Sequence, residues 1–398
     1  MQQIPLHTSL YFIDTSILVQ QFTMSAIVAP DYVQTHTELL AVLSKAKKLP
    51  DDQVKQGLGL LAAQITDPTA QKHIGEEIQD LSIRAVTLAR TFAAIDALIP
   101  KQDAETHEID SLTNAWAALH EDYKQLLVKS SQVAGQAHEI ATSFATKFMA
   151  SLGDDSVSVA NKAASMQSYK KLCDENSQNA HGLAGGFEKL QQDISAFLKI
   201  WPSWDAEDLG LKKMDADIET LQNTVVDLQN NVSHLQLTFT YGDVPSTTGV
   251  TSILGSMIPT FWTCALASAV GPLIDPALLV KIKSEAIALK PELSSKRALR
   301  AQTQAELTPQ QRVQAYLIDV PTDLSGVVKP LGALTLIWDS IRSDLAVIEQ
   351  TMTSSAGDPN VKQLLLPRLQ AFSGLYKIAG GTFAGYKNIV DTSLHSSQ

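Results

Sequence analysis

Apolar positions recur along most of this chain at alternating intervals of three and four. Ile109, Leu112, Trp116, Leu119, Tyr123 and Leu126 form one such series, and Val133, Ala137, Ile140 and Phe144 resume it after Ser130. Between Asp103 and Leu152 there is no proline and only Gly135. The spacing predicts a helix of about 45 to 50 residues, roughly 70 Å long at 1.5 Å per residue. A second seam runs Met214, Ile218, Leu221, Val225, Leu228, Val232, Leu235, Phe239, and a third Leu331, Leu334, Trp338, Ile341, Leu345, Ile348, Met352. A fourth, looser one runs Val361, Leu365, Leu369, Phe372, Tyr376, Ala379, Phe383, Tyr386. A stripe kept up at this period means long helices packing along their length at shallow angles.

Breaks fall at Lys48–Asp52, Leu98–Pro100, Gly153–Asp155, Trp201–Asp205 and Ala356–Pro359, each followed by N-cap candidates. Elements joined by such short turns become antiparallel neighbours. The expected fold is therefore all-α, an elongated bundle of long antiparallel helices. Residues 31–240 and 281–398 would form its helical tail.

One stretch does not fit a bundle. From Val244 to Ile274 the chain carries no charged residue, reading VPSTTGVTSILGSMIPTFWTCALASAVGPLI. A connection between long helices is normally short and polar. Pro259 and Gly271-Pro272 interrupt the stretch, leaving pieces of about ten residues where about 20 are needed to cross a bilayer. Its large aliphatic and Phe residues supply roughly −3 to −5 kcal/mol on the insertion scale, and Asp275 at the bilayer centre would cancel about 3 of that. Such a segment enters a membrane conditionally. Residues 241–280 are expected as a small head, an apolar hairpin or β-tongue at the end of the rod. The membrane-inserting residues would be Val250, Ile253, Leu254, Met257, Ile258, Phe261, Trp262, Leu266, Val270, Leu273 and Ile274. The competing expectation is a buried core hairpin covered by other helices.

Charge separates the two flanks of this stretch. Lys281, Lys283, Lys290, Lys296, Arg297 and Arg300 follow it, whereas Asp205, Glu207, Asp208, Asp215, Asp217, Glu219 and Asp227 precede it. A cationic collar beside an apolar tip binds anionic headgroups at roughly 1 kcal/mol per basic residue, with Lys281, Lys283 and Lys290 nearest. The plainer expectation is that the two flanks pair with each other.

Composition narrows the classes. Net charge is −11, which excludes nucleic acid as the main partner because phosphate binding wants a basic face. Hydrophobic residues at 44% mark a chain that folds. Two cysteines, Cys173 and Cys264, cannot supply a disulfide framework. The N-terminal stretch to Pro30 has one charge, Asp14, and no Lys or Arg precedes Lys45. A standard signal peptide needs a basic start, so release by another route is expected. Leu10, Phe12, Ile13, Ile17, Leu18 and Phe22 make residues 1–30 a second membrane-seeking segment, packed on the bundle in the soluble form.

Thr15-Ser16-Ile17-Leu18-Val19-Gln20-Gln21, the apolar stretch between two long helices, and Trp338-Asp339-Ser340-Ile341 with Leu345, Leu365–Leu369 and Tyr376-Lys377-Ile378 together form a pattern. It resembles the α-helical pore-forming cytolysins of the haemolysin E, non-haemolytic enterotoxin and haemolysin BL type. The resemblance covers most of the chain in architecture, through degenerate motifs. It implies a soluble, secreted monomer that binds a target-cell membrane, rearranges and assembles as a homo-oligomer or with partner toxin components.

No catalytic constellation stands out. Gly380–Lys387 has its lysine one place late for a phosphate loop and no preceding strand, so it reads as loose helix. Gly182–Gly186 reads as a flexible joint. His138-Glu139 lacks the second histidine of a zinc protease, and the remaining histidines are scattered. No enzyme activity, metal or cofactor is expected. Trp116 and Trp338 lie on seams and are assigned to the core. Two other classes stay open: a helical coiled-coil scaffold or adaptor that uses the apolar stretch as a docking patch, and a single-span anchored coiled coil.

Overall fold

The computed structural model describes residues 67–103, 110–201, 248–258, 261–262, 265, 276–305, 307–354 and 359–396, with isolated positions between 56 and 63 and between 214 and 221. Helix accounts for 95% of the residues that can be interpreted, and none forms a strand. In chain order the helices are α1 (Pro68–Asp103), α2 (Asp110–Ser143), α3 (Met149–Gly153), α4 (Val159–Ile200), α5 (Thr248–Met257), α6 (Pro276–Ala305), α7 (Pro309–Leu334), α8 (Ile337–Ser354) and α9 (Pro359–Ser396). A π-helical turn, Phe144–Phe148, joins α2 to α3 without a break in the helix.

The first, third and fourth seams enter the core where they are described; the second, from Met214 to Phe239, lies mostly outside the described residues. Trp116, Tyr123, Ala137 and Phe144 of the first are fully buried, as are Leu331, Ile341 and Leu345 of the third and Tyr376, Phe383 and Tyr386 of the fourth. They join one apolar cluster that runs through α1 to α5 and α7 to α9. Phe92 stacks between Trp116, at 5.0 Å between centroids, and Tyr123, at 4.9 Å. Polar tips inside this core find partners. Trp116 Nε1 donates to the Phe92 carbonyl at 3.1 Å, and the Tyr123 hydroxyl to that of Ala85 at 2.7 Å. Ser130, which interrupts the first seam, is buried and its hydroxyl meets that of Tyr386 at 2.8 Å. The interruption is therefore a polar link between α2 and α9.

Helix starts follow their caps. Asp67 Oδ1 accepts from Thr69 N and Ala70 N at the head of α1, and Ser158 accepts from Asn161 N at the head of α4. Thr308 and Gln311 form a full capping box on α7, with Pro309 at its first position.

Two expectations are corrected. Helix α1 does not stop at Leu98–Pro100 but runs on to Asp103. Gly182–Gly186 is no joint, because α4 is continuous through it. At Gly186 a Cβ would lie 2.5 Å from Leu126 Cδ2, so the Leu126 side chain fills the space that a larger residue would need. A similar reason holds at Gly380, where a Cβ would lie 2.6 Å from Thr142 Oγ1. The third seam also crosses a local break at Thr335-Leu336, between α7 and α8, and keeps its register.

Candidate functional site: the uncharged stretch

Helix α5 is the first described part of the uncharged stretch. Val250, Ile253, Leu254 and Met257 repeat at the interval of one helical face, and all four are buried. Pro259 disfavours helical geometry at the residue before it, and the chain bends at Ile258. Two backbone bonds carry the turn across that bend, Ile258 N to the Leu254 carbonyl at 2.8 Å and Trp262 N to the Ile258 carbonyl at 3.0 Å. Trp262 folds back over α5, where a Cβ on Gly255 would lie 3.3 Å from its Cδ1. The glycine makes room for the indole.

The Phe261 amide donates to Oε1 of Glu77 on α1 at 2.7 Å, and Glu77 is itself buried. A carboxylate near the free amides that open a helical turn is favourable. Glu77 thus caps the second piece of the uncharged stretch from a neighbouring helix. Trp262 Nε1, by contrast, is buried with no partner among the described residues.

Helix α5 packs against α1, α7, α8 and α9, touching both halves of the interrupted α7–α8 pair. Val250, Ile253, Leu254 and Ile258 are 0% exposed, Trp262 1%, Met257 2% and Phe261 5%. The physical reason is hydropathy without charge: the face formed by Val250, Ile253, Leu254 and Met257 carries no group that demands water, so it can be covered. Of the other proposed inserting residues, Leu266, Val270, Leu273 and Ile274 lie outside the described residues. So do Leu10, Phe12, Ile13, Ile17, Leu18 and Phe22 of the N-terminal segment. Lys281 and Lys283 are half-buried on α6, and the Lys290 side chain lies outside the described set. Lys296 pairs with Asp217 at 2.8 Å, so one contact between the two charged flanks is real.

A second polar feature went unread in the sequence. Asp344 on α8 is 2% exposed, and its Oδ2 accepts from the Tyr376 hydroxyl of α9 at 2.7 Å. Ser340 shares that hydroxyl at 2.9 Å. Burial pushes the Asp344 carboxyl up to about 8, against the lowering effect of the Tyr376 hydrogen bond. It is therefore held largely as the neutral acid near pH 7. Asp344 sits three residues after Ile341 and directly before Leu345, and a charge so close to a seam is the signal that could have marked it. Burial likewise pushes the Cys173 thiol up to about 12, leaving it unreactive. Trp201 is buried, and its Nε1 donates to Gln314 Oε1 at 3.1 Å.

Among the described residues no three His, Cys, Asp or Glu side chains converge to hold a metal, and no helix is long and apolar enough to cross a membrane. A groove of about 1130 Å³ between α1, α3 and α9 is lined mainly by Ile, Met, Ala and Gly. No family model, curated protein or solved structure matches this chain.

Proposed function

We propose that the protein is a non-enzymatic, membrane-active helical protein of the pore-forming kind. In this reading residues 31–240 and 281–398 form an elongated tail, and 1–30 and 241–280 are the segments that reach lipid. The soluble form binds a target-cell membrane, and copies of the chain, alone or with partner components, bury the released apolar surface again. The observation that carries the reading is the state of the longest described piece of the uncharged stretch. Its apolar side chains Val250, Ile253, Leu254, Met257 and Ile258 are buried, and it leans on a helix pair interrupted at Thr335-Leu336.

Energetics set a condition on this mechanism. Burying the six side chains Val250, Ile253, Leu254, Met257, Ile258 and Phe261 is worth roughly 10 to 20 kcal/mol against water. Lipid replaces most of that, so apolar area alone neither drives nor forbids the exchange. What opposes it is the hole left behind, at about 24 cal/mol for each Å³ that does not collapse. Release of α5 must therefore be coupled to separation or closure of α1, α7, α8 and α9. A hinge at the α7–α8 break supplies the place for it.

Dye release from vesicles, read beside quenching of tryptophan by brominated lipid, tests the proposal. The wild type releases dye and is quenched, and Trp262→Phe loses most of the quenching. Release without any contribution of Trp262 to quenching removes the role of this segment; absence of release removes the reading altogether.

Burial of the apolar face of α5 favours a second reading, in which the stretch is a permanent part of the core of a helical scaffold or adaptor. That protein leaves vesicles intact and shows no quenching.

A further inference from the structure

A cleft of about 660 Å³ lies between α1, α6 and α7, and five arginines line it: Arg84 and Arg90 of α1, Arg297 and Arg300 of α6, and Arg312 of α7. In a chain of net charge −11 this is a local reversal of sign. Most of these guanidinium groups are engaged. Arg84 Nε lies 3.2 Å from Asp80 Oδ2, and its Nη1 donates to the Gly326 carbonyl at 3.4 Å. Arg300 pairs with Asp319, whose other oxygen accepts from Gln304 Nε2 at 2.8 Å. Arg312 Nη2 donates to the Leu307 carbonyl at 3.0 Å.

Arg90 and Arg297 differ: among the described residues neither side chain makes a hydrogen bond or an ion pair. Arg90 is exposed, whereas Arg297 is half-buried, with Arg84 repelling it while Asp80 and Asp323 attract it from beyond contact. We propose that this cleft is a phosphate-binding site, in which Arg297 and the neighbouring Arg84 hold a phosphate group. A planar guanidinium fork offers paired donors that match phosphate oxygens, and a bound anion would supply the direct ion pair that Arg297 lacks. Burial first, then Arg84, pushes Arg297 down to about 10, which still leaves it charged at neutral pH. The other role open to the cluster, fastening α6 to the bundle, is already filled by Arg300 with Asp319. The phosphate could belong to a small soluble compound or to a lipid headgroup. The inference does not depend on the membrane reading, and its test involves no leakage.

Full-length wild type, Arg297→Gln and Arg297→Lys are compared by thermal melting in inorganic phosphate, with chloride balancing ionic strength. Flotation with vesicles of phosphatidylcholine, alone or mixed with phosphatidic acid, forms the second arm. Phosphate raises the Tm of the wild type. The Gln variant needs at least about tenfold more phosphate for the same rise, and the Lys variant falls between. Without phosphate, Arg297→Gln melts no lower than wild type, because it removes a desolvated cation that makes no direct ion pair. Arg297-dependent flotation with phosphatidic acid, competed by free phosphate, identifies a headgroup as the source. A phosphate response with no such flotation identifies a soluble compound. The proposal is overturned by equal responses in wild type and Gln variant, by no response in either arm, or by a Gln variant that melts lower without phosphate.

Discussion

Helices α5 and α6 are neighbours in sequence and opposites in how the fold holds them. The apolar face of helix α5, Val250, Ile253, Leu254 and Met257, is buried, and the helix packs against α1, α7, α8 and α9. Helix α6 leaves Val280 67%, Ile287 58% and Leu299 53% exposed. Among its described side chains, Lys296 pairs with Asp217, Arg300 and Gln304 hold Asp319, and Leu289 and Leu293 form a small apolar cluster with Leu221. Both helices contain large aliphatic residues. In α5 those residues share one face and no charge accompanies them. In α6, Lys281, Lys283 and Lys296 are interspersed with them and Pro291 lies inside the helix. Burial follows the absence of competing charge more than the number of apolar side chains.

The sharpest way to break this comparison is to put a charge where there is none. Ile258→Asp places a carboxylate at a site with 0% exposure. A buried unpaired charge belongs to the few mechanisms that cost more than about 4 to 5 kcal/mol. The variant is expected to lose its cooperative urea transition by circular dichroism. A midpoint near wild type would mean that the stretch is not in the core.

A gentler probe is Leu254→Ala, which leaves a cavity at a fully buried position of α5. The expected loss is about 2 to 5 kcal/mol from urea denaturation. A loss under about 1 kcal/mol would show that the bundle closes over the gap with ease, as the proposed release requires. This measurement therefore separates a permanent core helix from a stored one.

The seams that built the bundle were plain in the sequence, because Trp116, Tyr123, Ile341, Tyr376 and Phe383 repeat at helical spacing and all are buried. The destination of the uncharged stretch was not. Periodicity tells which face of a helix is apolar, and α5 is apolar enough to suit either lipid or a core. Only tertiary partners decide between them. Glu77 shows the same limit: nothing near it in sequence announces that it will cap Phe261, far along the chain. The glycines at 186 and 380 read as looseness because sequence alone cannot show the Leu126 and Thr142 atoms that crowd them.

Asp344 offers an intermediate effect away from both helices. Its folded carboxyl titrates at about 8, above the ordinary 3.8, so the native state binds more protons than the unfolded chain in between. Its contribution is thus complete below about pH 4 and is lost as pH rises through about 8. Stability should fall by up to about 1.4 kcal/mol per pH unit in that window from this group. Asp344→Asn keeps an acceptor for the Tyr376 hydroxyl and removes the titration. Urea midpoints between about pH 6 and pH 7 should be flatter in the variant; parallel slopes would mean that another group carries the dependence.

The smallest effect belongs to α6. Ile287→Ser removes an apolar side chain that is already 58% exposed, so little surface returns to water when the chain unfolds. Surface changes of this kind usually stay within about 0.5 kcal/mol. Measured beside Leu254→Ala, the ratio of the two losses expresses the contrast between a helix held by packing and one held by charge. If Ile287→Ser costs as much as Leu254→Ala, then the exposed face of α6 is covered in solution. A second copy of the chain would be the first candidate to check, by dependence of the melting temperature on protein concentration.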